Sequence, residues 1–342
     1  MPILSSVPAP GAVSLVGVDR GHVREATHLG HIAVASADGE LVASLGNPDQ
    51  RTYFRSCAKP FQALAGLRAG LVARFGLGPE HIAIMSASHN GEPRHLEVVR
   101  DLLARAEVAE DALQCGAHWP LYEPAATEAR RSMREPLAVF NNCSGKHAGM
   151  LAAARALEAP LDRYLEPGHP VQGAIRAALA EVTGLAPGDI VFGVDGCSAP
   201  NPAVPLQAMA RSFAVLVTAK QGPAVNIVEA MIAQPFLVGG SERFDTRLME
   251  VTGGRLLAKG GAAGAHCTAD RRSGRGLAVK LESGDGTWIA TAVIAALDQI
   301  GWLTGRELTE LSRFAHPVLR NHRGIEVGRV GPLFELSPVT AV

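Results

Sequence analysis

The order of two hydrophobic periodicities constrains this chain most. Residues 12 to 46 alternate apolar and polar side chains with the period of a strand, and "HIAVASADGELVASLG" sets two such arms around Asp38-Gly39, a hairpin signal. From Ser56 to about residue 235 the period becomes largely helical. "PRHLEVVRDLLARAEV" puts Leu96, Val99, Leu102 and Leu103 on one face, and "GKHAGMLAAARALEA" is rich in good helix formers. "PVQGAIRAALAEVTGL" opens on Pro170 and closes near Gly184, as a helix should. Two stretches, "HIAIMSASHNG" and "DIVFGVDGCSA", interrupt the helices and are expected to be strands running into polar turns. Strands return in "GGRLLAK", "GAHCTAD" and "GLAVKLE", then a helix in "TWIATAVIAALDQI" and a last strand in "GIEVGRV". Strands at both ends with helices between them predict an α+β fold. One domain over 1–342 is expected, with a sheet lobe from roughly 1–55 and 240–342 and a mostly helical lobe from roughly 56–239.

Composition excludes several function classes. Apolar residues make up 47% and charged residues 19% of the chain, enough for a sizeable core and too apolar for disorder. The net charge of −1 comes from interspersed signs, without the basic stripe that nucleic acid requires. No apolar stretch is long enough to span a bilayer. The N-terminal residues lack a basic segment followed by a long apolar one, so they read as mature protein, and a cytoplasmic location is expected. The five cysteines, Cys57, Cys115, Cys143, Cys197 and Cys267, are an odd and sparse set that suits buried thiols or ligands better than disulfides.

Four segments carry chemistry. In "YFRSCAKPFQAL", Ser56 and Lys59 are spaced i, i+3, which places them on one face if the segment is helical. A serine hydroxyl becomes a nucleophile when a neutral lysine takes its proton, and helix N-terminal N–H groups can hold an oxyanion. The plain alternative is Ser56 as an N-cap with Lys59 in solvent. "SASHNGEP" offers Ser88, His89 and Asn90 within one turn, or only a polar turn. "LLAKGGAAGAHC" places Lys259 at a strand end before two glycines, or in an ordinary hairpin. In this order the three resemble the Ser-x-x-Lys, Ser-Asp-Asn and Lys-Thr-Gly motifs of serine β-lactamases and penicillin-binding proteins. His89 departs from the acid of the second motif and Gly260 from the hydroxyl residue of the third. The fourth constellation sets Cys143 in a loop, Lys146 and His147 just inside a helix, and Asp195 and Cys197 at a strand exit. Thiols with His147 and a carboxylate suit zinc, although the spacing matches no zinc finger, and buried thiols in tight turns are the alternative.

Together "RSCAKPFQAL", "SASHNGEP", "NNCSGKHAGML", "VDGCSAPN", "AKGGAAG" and "NHRGIEVG" resemble the rhizobial-type, thermolabile L-asparaginases, the asparaginase II family. The resemblance runs through most of the chain. It implies hydrolysis of L-asparagine to aspartate and ammonia by two Ser-Lys pairs, Ser56 with Lys59 and Ser88 with Lys259. It implies zinc held by Cys143, Lys146 and Cys197, aiding substrate binding more than chemistry. It also implies an α/β sandwich like those of serine β-lactamases and glutaminases, and a homodimer. Lys146 as a ligand comes from the resemblance alone, since an amine must lose its proton to bind metal. Arg55, Asp195 and His147 are the expected substrate-binding residues, with Asp195 for the α-ammonium and Arg55 for the α-carboxylate. Cys115 and Cys267 are read as structural. Competing readings are another serine amidohydrolase acting on glutamine or a β-lactam, a zinc hydrolase, and an amino-acid-binding protein without turnover.

Overall fold

Alternation carries the N-terminal residues into β1 (Val13–Arg20), β2 (Val23–Ala35) and β3 (Leu41–Leu45), and the Asp38-Gly39 turn joins the last two. The computed structural model describes residues 9–336. Residues 1–8 and 337–342, the outer ends of the expected sheet lobe and the start of the stretch read as mature N-terminus, lie outside the described residues. The later strands are β4 (Arg51–Tyr53), β5 (Val191–Val194), β6 (Pro200–Pro205), β7 (Leu256–Gly261), β8 (Ala265–Asp270), β9 (Arg275–Leu281), β10 (Val318–Arg320) and β11 (Glu326–Pro332).

The architecture is mixed α+β, as the sequence predicts. The main sheet runs β10-β11-β1-β2-β9-β8-β7, with β3 also on β2. Its pairings are antiparallel, and β2 joins the two ends of the chain. Residues 23–30 of β2 pair with β1, while Gly30 to Ala35 pair with Leu281 to Gly276 of β9. β8 is buried along its whole length, because helices cover a face that an open antiparallel sheet would leave wet. The helix Leu206–Thr218 packs across β2, β8 and β9. Beyond it the helices Lys59–Arg68, Ser144–Ala156 and Pro170–Thr183 pack on one another. A second sheet, β4-β6-β5, takes β5 and β6 from the mostly helical stretch of sequence and β4 from just before it.

Helix ends follow their chemistry. Pro170 opens the helix Pro170–Thr183 and Gly184 closes it in the left-handed region at φ 72°. The helix Pro93–Arg105 buries Val98, Val99, Leu102 and Leu103.

One expected strand is a helix. Residues Pro79–Met85, which take in the first five residues of "HIAIMSASHNG", are α-helical. Pro79 fits the first turn, and His81 Nδ1 accepts the Gly78 N–H at 2.9 Å, so the start is capped. An apolar run this short has no period that separates the two structures. Close contact then fixes the helix in place. A Cβ on Gly145 would lie 2.2 Å from the Ile84 carbonyl oxygen, so only glycine lets the helix Ser144–Ala156 start against this one. No helix among the described residues is long and apolar enough to cross a membrane.

Candidate active site

Two buried lysines converge on one hydroxyl. Ser88 Oγ accepts from Lys59 Nζ at 3.0 Å and from Lys259 Nζ at 2.9 Å. Lys59 also donates to the Ala87 and Asn142 carbonyls, and Lys259 to the Gly260 carbonyl at 2.7 Å. The expected pairing of Ser88 with Lys259 is present. The hydrogen bonds of Lys59 run to Ser88 rather than to Ser56, which differs from the expected pairing. The reason is local geometry. Arg55 takes a left-handed φ of 52°, and Arg55–Ala58 form a 3-10 turn before the α-helix begins at Lys59. Ser56 is therefore not the cap of that helix, a place that Ala58 occupies. Its side chain instead lines a cavity of about 380 Å³ with Ser88, Asn142, Arg243, Asp245 and Gly260.

Burial pulls the Lys59 ammonium down to about 8; the Cys143 thiol opposes this and the charges of Lys259 and Lys146 add to it. Burial also lowers Lys259, against the pull of Asp245. His89, where the second motif departs from an acid, turns away from the cavity. Its Nδ1 accepts the Gly91 N–H at 3.1 Å and its Nε2 bonds Ser144 Oγ at 2.9 Å. Burial holds it neutral, and it pins the Ser88 loop to the helix Ser144–Ala156. Asn90 donates to Glu92 and to the Ser241 carbonyl, so it too is a loop brace.

A second cluster adjoins the first. Sγ of Cys143, Sγ of Cys197 and a carboxylate oxygen of Asp195 lie within 4.8 Å of one another. Lys146 Nζ donates to Cys197 Sγ at 2.8 Å. Cys143 caps the helix Ser144–Ala156, while Asp195 and Cys197 lie in the turn between β5 and β6. The Cys197 thiol and the two nearby lysines favour Cys143 as the thiolate, and Cys197 keeps its proton. Burial lowers Lys146, but the two sulfurs outweigh it and keep the amine charged. Two sulfurs, an amine and a carboxylate at this spacing fit the tetrahedral preference of zinc, and binding would displace the Lys146 proton. His147 lies outside this group, with Nδ1 on the Tyr164 hydroxyl at 2.7 Å.

Arg55 Nε and Asp195 Oδ1 are 3.1 Å apart, a charge pair whose N–H is not aimed as a hydrogen bond. Four buried side-chain polar atoms lack a hydrogen-bond partner among the described residues. Three belong to Arg55, Asp195 and His147, the expected substrate-binding residues; the fourth is His31 Nε2. Sequence reasoning gave no role to Asn142, which lies within "NNCSGKHAGML", and missed Asp245 and Arg243, which no motif marks. A larger depression of about 610 Å³ lies among Arg74, Arg105 and Arg155. Those arginines are bound to helix-end carbonyls and surface carboxylates, and the lining holds no nucleophile.

No curated protein matches the chain significantly. Among solved structures, a β-lactamase from Mycobacterium bovis aligns at 15% identity and a TM-score of 0.39, over 84% of this chain and 95% of its own. A β-lactamase candidate from Bacteroides dorei aligns at 14% identity and a TM-score of 0.40, over 79% and 93%. Likenesses this loose decide nothing about the reaction. A profile of the L-asparaginase II family, by contrast, matches residues 16–332. That span includes the serine-lysine cluster, the thiol cluster and the paired strands from both ends, and the chain belongs to the L-asparaginase II family.

Proposed function

We propose that this protein is an L-asparaginase that hydrolyses the side-chain amide of L-asparagine through a serine acyl-enzyme. The observation that carries the reading is the meeting of Lys59 and Lys259 on Ser88 in the cavity that Ser56 lines. Ser56, which lines the cavity, supplies the hydroxyl that attacks the amide carbon, and the neutral Lys59 amine serves as base. Backbone N–H groups of the 55–58 turn hold the developing oxyanion. Ammonia leaves with a proton supplied through Ser88 and Lys259, and water then cleaves the ester. Asp195 and Arg55 receive the α-ammonium and α-carboxylate, and His147 completes that end of the site. Arg55 and Asp195 pair with each other without a hydrogen bond, and bound substrate would replace that contact with one charged group for each.

Zinc held by Cys143, Lys146 and Cys197 is part of the proposal. When bound, it would supply positive charge beside the substrate-holding residues and so favour binding. The chain's own residues carry every step of the chemistry. A second reading, with Ser88 as nucleophile, draws on the two amines that bond its hydroxyl.

The test is ammonia release from L-asparagine by purified protein, with L-glutamine in parallel. Wild type is expected to release ammonia, and Ser56→Ala to lose at least about a thousandfold of that activity. Undiminished release by Ser56→Ala moves the nucleophile elsewhere. No release by wild type contradicts the asparaginase reading.

A further inference from the structure

Asp245 is buried at the start of the helix Phe244–Val251 and lines the cavity. Its Oδ2 accepts the Gly260 N–H at 2.7 Å and lies 3.7 Å from Lys259 Nζ. Its Oδ1 is 3.1 Å from His266 Nε2. The other ring nitrogen of His266 lies 3.3 Å from the Thr268 hydroxyl, which lets it accept there while Nε2–H donates to the carboxylate. Phe244 packs against the same ring. Lys259 and Gly260 belong to β7 and His266 to β8, so the carboxylate is tied to the strand pair that carries Lys259.

Gly260 makes room for this. A Cβ there would lie 3.1 and 3.3 Å from the two carboxylate oxygens of Asp245. The glycine that departs from Lys-Thr-Gly thus marks where the Asp245 carboxylate sits. Among the described residues, Asp245 is the carboxylate within ion-pair distance of Lys259. The other groups whose charge Lys259 feels are Arg243, Lys59 and the thiols of Cys57, Cys143 and Cys267.

We propose that Asp245 is a positioning residue that orients Lys259 on Ser88 and holds its amine as the ammonium, which makes Lys259 the proton donor of the lysine pair. Burial alone raises the Asp245 carboxyl. The His266 hydrogen bond and the Lys259 charge more than reverse this and keep it below the usual carboxylate range. In the reaction, the C–N bond of the tetrahedral intermediate breaks and its electron pair stays on nitrogen. That nitrogen takes the Ser88 proton, Ser88 takes one from Lys259, and ammonia leaves. The attacking water returns a proton to Lys259. The donor step rests on the proposed amide hydrolysis, whereas the charge pairing does not.

The chain has five lysines, so lysine labelled with ¹³C at the ε-carbon gives a readable NMR spectrum of the whole protein. Lys259→Arg assigns the Lys259 signal by removing it. In wild type, Lys259 is expected to be charged at about pH 7.5. In Asp245→Asn, which keeps the size and the acceptor for Gly260, its midpoint is expected to fall by about one unit or more. The signal of the exposed Lys220 should stay fixed. The alkaline decline of kcat should move to lower pH by the same interval. A Lys259 found as the free amine at neutral pH in wild type overturns the proposal, even if the variant fails to fold. A midpoint unmoved in a folded Asp245→Asn overturns it too, and leaves Asp245 a brace only. Wild type that shows the pairing yet releases no ammonia refutes the asparaginase reading and upholds the pairing.

Discussion

Ser88 receives two amines, and in the proposed mechanism the charge on Lys59 sets when the site can work. Lys59 must be neutral to act as base, and burial among other cations brings it to about 8. The sign follows directly: the protonated form below that value is inactive, so kcat/KM rises with pH through it. Ammonia release measured from about pH 6 to about pH 9 checks this, and a flat profile contradicts Lys59 as the base. That Ser56, Lys59, Ser88 and Lys259 are candidates was legible in the sequence, because Ser-x-x-Lys, the Ser88 turn and Lys-Gly-Gly follow one another as a motif set. Which hydroxyl each amine reaches was not, because that depends on the left-handed Arg55 and on where β7 sits beside the Ser88 loop. Asp245 was invisible for the same reason: its partners, Gly260 and His266, come from strands packed against its helix.

The helix Ser144–Ala156 aligns the two clusters. Cys143 caps its start, Lys146 lies in its first turn, and Ser144 holds the His89 ring beside Ser88. Its approach to the helix Pro79–Met85 depends on Gly145. A methyl there would meet the Ile84 carbonyl, a backbone atom that cannot swing aside. Gly145→Ala is expected to destabilise the protein by about 1–3 kcal/mol, seen as a lower midpoint in thermal unfolding, with activity reduced in the folded fraction. Unchanged stability would contradict the packing described. Elements with strong signals were legible, such as Pro170–Thr183 with its proline start and glycine stop. The short run at residues 79–85 was not, because packing decides its structure more than its pattern does.

Over the whole chain, the site gathers residues from Arg55 to Lys259, and the sheet beneath it joins strands from both ends. The sequence showed that strands lie at both ends. It did not show that β2 joins them, since register is a property of pairs. The thiol cluster ties the helical layer to the β5–β6 turn, which sets an expectation for metal removal. Zinc is expected to co-purify with the protein, and Cys197→Ser to lose it. Chelation should raise KM for L-asparagine while kcat at saturating substrate is largely kept. Loss of kcat on chelation would contradict a serine enzyme and favour zinc-activated water. The central claim is the serine acyl-enzyme, and the most direct measurement is the mass of protein quenched in acid during turnover of L-asparagine, followed by peptide mapping. An aspartyl ester is expected on the peptide that carries Ser56. An adduct on the Ser88 peptide, or rapid turnover with no adduct on either serine under quench conditions that preserve esters, would contradict it.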